Sequence, residues 1–149
     1  MSMLVICDQP AELEAMLGLA ASSGLCDVIG FGHPASALDW CEKNVPDLVM
    51  VDFLMRASDG LEVIRRMRSN PALTGVPLVL MLPHGFESVS AAAWQQGATD
   101  FLAKPVDPTE FVARARNLLA LRQARRASDQ GLEGWRAGPL RPLVPAHVH

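Results

Sequence analysis

The chain has little aromatic content, 5% of its 149 residues, while half of its residues are apolar. That composition points to aliphatic strands and alanine-rich helices. No apolar run approaches the ~18 uninterrupted residues of a membrane span. Cysteine is scarce too: Cys7, Cys26 and Cys41 form neither a CxxC pair nor metal-ligand spacing with the histidines, which suits reduced thiols. No basic leader or small-residue cleavage site precedes the apolar Met3 to Ile6, so this segment reads as a first strand rather than a signal peptide, and cytoplasm is the expected compartment. A Gly-x-Gly-x-x-Gly loop is missing after that strand. Cys7-Asp8-Gln9-Pro10 stands there instead and would set a negative charge against a pyrophosphate, which argues against a dinucleotide and equally against a flavin. The formal charge of −3 hides an asymmetry, with acids prevailing up to Val106 and arginines from Arg114 to Arg141. Among these arginines stands a single aromatic residue, Trp135, too few for the interleaving that base stacking would need, so a solvated helix face is the expectation and direct nucleic-acid binding is not.

What is present is a regular alternation. Strand-like runs at Met3–Cys7, Asp27–Phe31, Leu48–Asp52, Val76–Leu82 and Asp100–Ala103 are each followed by a helical pattern. Pro10 suits the first turn of the first helix, which runs to about Ser23. The second spans Ala35 to about Asn44. The third spans Gly60 to about Arg68, with Asp59 as a cap in an Asp59-Gly60 turn. The fourth spans Glu87 to Gln96 and stops at Gly97. The fifth starts near Pro108 with Asp107 as its cap, buries Phe111, Ala115, Leu118 and Leu119, and persists to about Arg126. Strict alternation argues for a parallel sheet wrapped by helices on both faces. One domain, residues 1–127, is expected, with 128–149 as a flexible tail broken by Gly131, Gly134, Gly138, Pro139, Pro142 and Pro145.

The chemistry collects at strand ends. Asp52 closes a buried run, Asp8 follows the first strand, and Lys104-Pro105 follows the last, so two acids and one lysine converge on the rim where ligands bind in open α/β folds. Alone, Asp8 reads as a helix cap; paired with Asp52 it reads as a ligand. Lys104 alone reads as an exposed lysine. His33 and His84 sit in turns and read as solvated, and Trp40 and Trp94 lie on helical patterns that read as core.

The segments Pro46-Asp-Leu-Val-Met-Val-Asp52-Phe-Leu-Met-Arg-Ala-Ser-Asp-Gly60 and Gly97-Ala-Thr-Asp-Phe-Leu-Ala-Lys-Pro105 resemble the phosphoacceptor and lysine segments of response regulator receiver domains in two-component signalling. Residues 101–122 are most similar to receivers that precede HD-GYP cyclic-di-GMP phosphodiesterase domains. The resemblance implies a flavodoxin-like (βα)5 three-layer sandwich with sheet order 2-1-3-4-5. It also implies a phosphoryl group accepted on Asp52 from a histidine kinase or phosphotransfer protein. Mg2+ would be held by Asp8, Asp52 and the backbone carbonyl of Leu54, with Lys104 contacting the phosphoryl group and Phe101 as the switch aromatic. Such a domain is not an enzyme beyond Mg2+-dependent self-phosphorylation and self-dephosphorylation.

Three departures qualify that expectation. Cys7 stands where the family usually has a second acid, and a soft, largely protonated thiol is a weak partner for Mg2+. Leu82 stands at the end of the fourth strand where the family has threonine or serine, so a hydroxyl is missing unless His84 or Ser88 supplies a substitute. Arg56 replaces a common proline. Two readings follow. One is a single-domain response regulator that signals to an output protein, or as a homodimer, through the fourth helix, fifth strand and fifth helix. The other is a degenerate pseudo-receiver acting as a phosphorylation-independent interaction module.

Overall fold

The computed structural model describes residues 1–137, in which strands and helices alternate as β1 Ser2–Ile6, α1 Pro10–Ser23, β2 Asp27–Phe31, α2 Pro34–Lys43, β3 Leu48–Asp52, α3 Gly60–Arg68, β4 Leu78–Pro83, α4 Ser90–Gln96, β5 Asp100–Lys104 and α5 Pro108–Ala137. All strand pairs are parallel, in the order β2-β1-β3-β4-β5. This is the flavodoxin-like order expected from the sequence. Boundaries shift by one or two residues, and the start of the fourth helical pattern is a separate 3-10 turn at Glu87–Val89.

Strand side chains point alternately to opposite faces, and the sheet feeds two cores accordingly. Leu4, Ile6, Val49, Val51, Leu78 and Leu80 pack with the buried faces of α2, α3 and α4. Met3, Val5, Leu48, Met50, Val79 and Met81 pack with Met16 and Ala20 of α1 and with Phe111, Ala115 and Leu119 of α5. The central strands are therefore apolar at nearly every position, because both faces are covered. In β3 all five residues are buried, the final Asp52 included.

Local signals hold at several ends. The Asp59 carboxylate caps α3 by accepting from the Glu62 N–H at 2.9 Å, and Asp107 accepts from Glu110 N–H at 2.9 Å at the start of α5. Gly97 ends α4 with φ of 109°, a left-handed conformation that side chains resist. His33 caps α2, its Nδ1 accepting from Ala35 N–H at 3.3 Å. Asp8, by contrast, does not cap α1. Gln9 occupies the cap position without a side-chain bond, and the Asp8 carboxylate is drawn instead to the loop after β3.

Two expectations need correction. The fifth helix does not stop near Arg126 but continues to Ala137, through Gly131 and Gly134. Each glycine costs a helix about 1 kcal/mol relative to alanine and does not forbid it. Helix therefore covers the first part of the segment expected as a tail from 128; the rest of that segment, residues 138–149, lies outside the described residues. Trp94 is not core: it is 53% exposed on α4, with its ring set edge-on to Phe101 at 4.8 Å. Trp40 does pack against the core, beside Phe31.

At the amino-terminal edge of the sheet, buried Asp47 accepts from Ser2 N–H at 2.9 Å and from Arg126 Nη1 at 2.9 Å, with Arg122 Nε at 3.4 Å. Part of the arginine-rich face of α5 is therefore an anchor. At the opposite edge, Gly60 N–H donates to the Phe53 carbonyl at 2.8 Å and closes the loop after Asp52. A Cβ at Gly60 would collide with the Asp52 carbonyl oxygen and lie 2.7 Å from Leu80 Cδ1. Gly60→Ala is expected to cost about 1–3 kcal/mol by overpacking, read as a lower urea midpoint; an unchanged midpoint would show that the loop yields freely.

Candidate functional site: an acidic pocket at the strand ends

Parallel strands bring their carboxyl ends to one edge, so residues far apart in the chain become neighbours there. Asp52 ends the central strand, and its side chain is 1% exposed. Lys104 ends β5, two strands away, and its Nζ reaches back to donate to Asp52 Oδ2 at 2.8 Å. The same ammonium donates to Glu12 Oε2, in the first turn of α1, at 2.7 Å. Cys7, the residue after β1, donates its thiol proton to Asp52 Oδ2 at an Sγ–O distance of 3.4 Å, and its Sγ lies 3.7 Å from Glu12 Oε2. Among the described residues, Cys7, Glu12 and Asp52 form a group whose potential ligand atoms all lie within 4.8 Å of one another. Lys104-Pro105 is a cis peptide bond.

Asp8 sits at the mouth of the pocket, where its Oδ2 accepts from Arg56 N–H at 2.7 Å. That contact crosses from the β1–α1 loop to the loop after β3, which also carries Leu54. Two buried carboxylate oxygens, Asp8 Oδ1 and Asp52 Oδ1, accept no hydrogen bond from the protein. Buried polar atoms are normally satisfied, so two unpaired carboxylate oxygens at this edge, one of them on the residue that Lys104 holds, mark a place for a ligand or cation.

Leu82 is 6% exposed and belongs to the core that includes Val51, Phe53 and Ala93, so the end of β4 presents no hydroxyl. Neither proposed substitute replaces it: the His84 side chain is 97% exposed, with its Nδ1 3.6 Å from Glu87, and Ser88 is exposed. Phe101 is half-buried beneath Trp94 and, with Leu82, His84, Ser90 and Lys104, lines a groove of about 230 Å³ beside the pocket.

The titrating groups follow from this packing. Burial pushes the Cys7 thiol from 9.0 up to about 12; the backbone at Gln9 works against the shift, and the neighbouring Asp52 charge adds to it. Burial alone would pull the Lys104 ammonium down, but hydrogen bonds and charge from Asp52 and Glu12 outweigh it, so its pKa stands above the ordinary value. The pocket therefore holds a neutral thiol and a firmly charged lysine.

The family model described as the response regulator receiver domain matches residues 3–116. The chain belongs to this family. This receiver is 43% identical over 103 residues to the cyclic di-GMP phosphodiesterase response regulator RpfG of Xanthomonas campestris pv. campestris, covering 69% of this chain and 27% of that protein. It is 32% identical over 132 residues to response regulator Rre1 of Synechocystis, covering 89% of this chain and 56% of that one. The receiver thus spans about a quarter to about half the length of these relatives. Among solved structures, the receiver domain of NtrX from Brucella abortus superposes with a TM-score of 0.73 at 24% identity, covering 79% of this chain and 98% of that one. No described helix of the receiver is long and apolar enough to cross a membrane.

Receiver domains bind Mg2+ at an acidic pocket, and the donors here fit that hard cation: oxygen atoms predominate and two of them are orphaned. The sequence reading placed Asp8, Asp52, Cys7 and Lys104 at this edge, but it missed Glu12. An acid in the first turn of a helix is ordinarily explained by the helix dipole. Only its position one turn after the end of β1 hinted at a longer reach.

Two outcomes are expected. Breaking a buried pair from one side costs about 3–5 kcal/mol; Lys104→Met should destabilise the fold on that scale and cost much less in an Asp52→Asn background. Equal losses in both backgrounds would show that Lys104 does not compensate Asp52. Stability should also fall as pH rises through the thiols. A raised folded-state pKa means the native state holds the proton more tightly, so the benefit is complete below about pH 9 and lost toward pH 12 for Cys7. Cys41, raised to about 11, acts in the same direction, and no tyrosine titrates in this window. Urea melts between pH 8 and pH 10.5 should show this decline, and Cys7→Ser should make it shallower.

Proposed function

We propose that this receiver accepts a phosphoryl group on Asp52 in two-component signalling and passes the signal through its α4–β5–α5 face to a partner protein. The observation that carries the reading is the buried Asp52 carboxylate held at 2.8 Å by Lys104, with one oxygen left unpaired at the open edge of the sheet. An Asp52 oxygen attacks the phosphorus of a kinase or phosphotransfer phosphohistidine. The P–N bond breaks, its electron pair leaves with the imidazole nitrogen, and an acyl phosphate forms on Asp52. Asp8, Asp52 and the Leu54 carbonyl would hold Mg2+, which would supply the positive charge that lets two anions meet. Lys104 holds a phosphoryl oxygen as a point charge. The cis Lys104-Pro105 bond lies at the site's edge, and Phe101 is the aromatic whose packing under Trp94 responds.

The exposed Trp94 edge and the groove beside Phe101 suit a protein partner or a second copy on that face. Leu82 and the neutral Cys7 favour a second reading, a pseudo-receiver that binds its partner without phosphate.

Intact-mass spectrometry after incubation with a small acyl phosphate donor and Mg2+ separates the two. One phosphoryl mass on the protein, and none on Asp52→Asn, is the expected result; no adduct with the fold intact would favour the pseudo-receiver. Leu82→Thr should raise the phosphorylation rate about tenfold, since a hydrogen bond to a charged group contributes about 1.5–3 kcal/mol. An unchanged rate would mean that the pocket has another donor for the phosphoryl oxygen.

A further inference from the structure

This edge of the sheet carries Asp52 and Glu12 on one ammonium, Lys104, with a third carboxylate, Asp8, in the β1–α1 loop. Counted formally, two negative charges lack a partner, the charge of one divalent cation. Two carboxylate oxygens at the same edge, one of them on fully buried Asp52, accept no hydrogen bond. The end of β1 contributes a thiol instead of an acid, and that thiol sits between the Glu12 and Asp52 carboxylates, 3.7 Å from one and 3.4 Å from the other. Glu12 therefore projects its charge over Cys7, from one turn further along the chain. We propose that Glu12 supplies the second carboxylate of the divalent-cation site, taking from α1 the part that Cys7 leaves unfilled at the end of β1. This rests on the reading of the Asp52 pocket as a cation and phosphoryl site.

The geometry permits the exchange. The ligand atoms of Cys7, Glu12 and Asp52 lie within 4.8 Å of one another. Two oxygens on one Mg2+ are at most about 4.2 Å apart, and the ion keeps several waters that extend its reach. The Glu12 side chain is 47% exposed and carries flexible torsions, so a small rotation suffices. Without a cation, Glu12 shares Lys104 with Asp52; with one, it has a second positive charge to turn to. A glutamate held by Lys104 thus stays poised at the pocket rather than in solvent.

Titration calorimetry with MgCl2 tests this on the full chain and on Glu12→Gln, Cys7→Asp and the double variant, with unfolding melts in chelator confirming that each is folded. Glu12→Gln is expected to weaken Mg2+ about tenfold or more, and adding Cys7→Asp to it should restore the affinity of the parent. Parent-like affinity in Glu12→Gln would overturn the assignment while leaving the cation site standing. So would a parent that does not bind beside a Cys7→Asp variant that does. Absence of binding in both would overturn the cation reading together with it.

Discussion

A carboxylate buried at the end of the central strand cannot stay charged without a partner, and in this protein the partner comes from two strands away. Neighbouring strands lie about 4.8 Å apart, so Lys104 on β5 must span β4 to reach Asp52. That reach is possible because β4 and β5 are in register, with Pro83 opposite Lys104, and because the residues between them are apolar and tightly packed. The pair ties Asp52 to the edge strand whose other face carries Phe101. Phe101 in turn packs edge-on against Trp94.

The same constraint explains how the pocket tolerates its unusual residues. Cys7 is neutral and only donates to Asp52, so it adds no repulsion to a crowded acidic site, but neither does it attract a cation. Leu82 belongs to the apolar core and lines the groove, so the end of β4 brings no hydroxyl to the site. Glu12 offsets the first loss by placing a carboxylate on the same lysine. Electrostatics at this edge are thus arranged by a helix as well as by strand ends.

Much of this was legible beforehand, for identifiable reasons. The central strands are nearly unbroken aliphatic runs because both sheet faces are covered, and that pattern survives inspection of sequence alone. Asp59, Asp107 and Gly97 announce helix ends because capping depends on local chemistry. Asp52 and Lys104 stood out because each follows such a run. Other features were hidden because they depend on distant partners. The hold of Arg56 N–H on the Asp8 carboxylate, 48 residues away, had no local sign. Asp47 carried no local sign of the contacts that Arg126 and Ser2 make with it. Two glycines seemed to end a helix that continues through them.

The sequence by itself determined the alternation of strands and helices, the parallel sheet with both faces covered, and the placing of Asp52, Asp8, Cys7 and Lys104 at one rim, since periodicity and strand ends are local properties. Only the tertiary structure decided which charges meet. Glu12 and Lys104 are 92 residues apart, and no local pattern relates them. Their contact exists because β1 and β5 flank the central strands in one parallel sheet, which turns the first turn of α1 toward the end of β5 above the buried carboxylate.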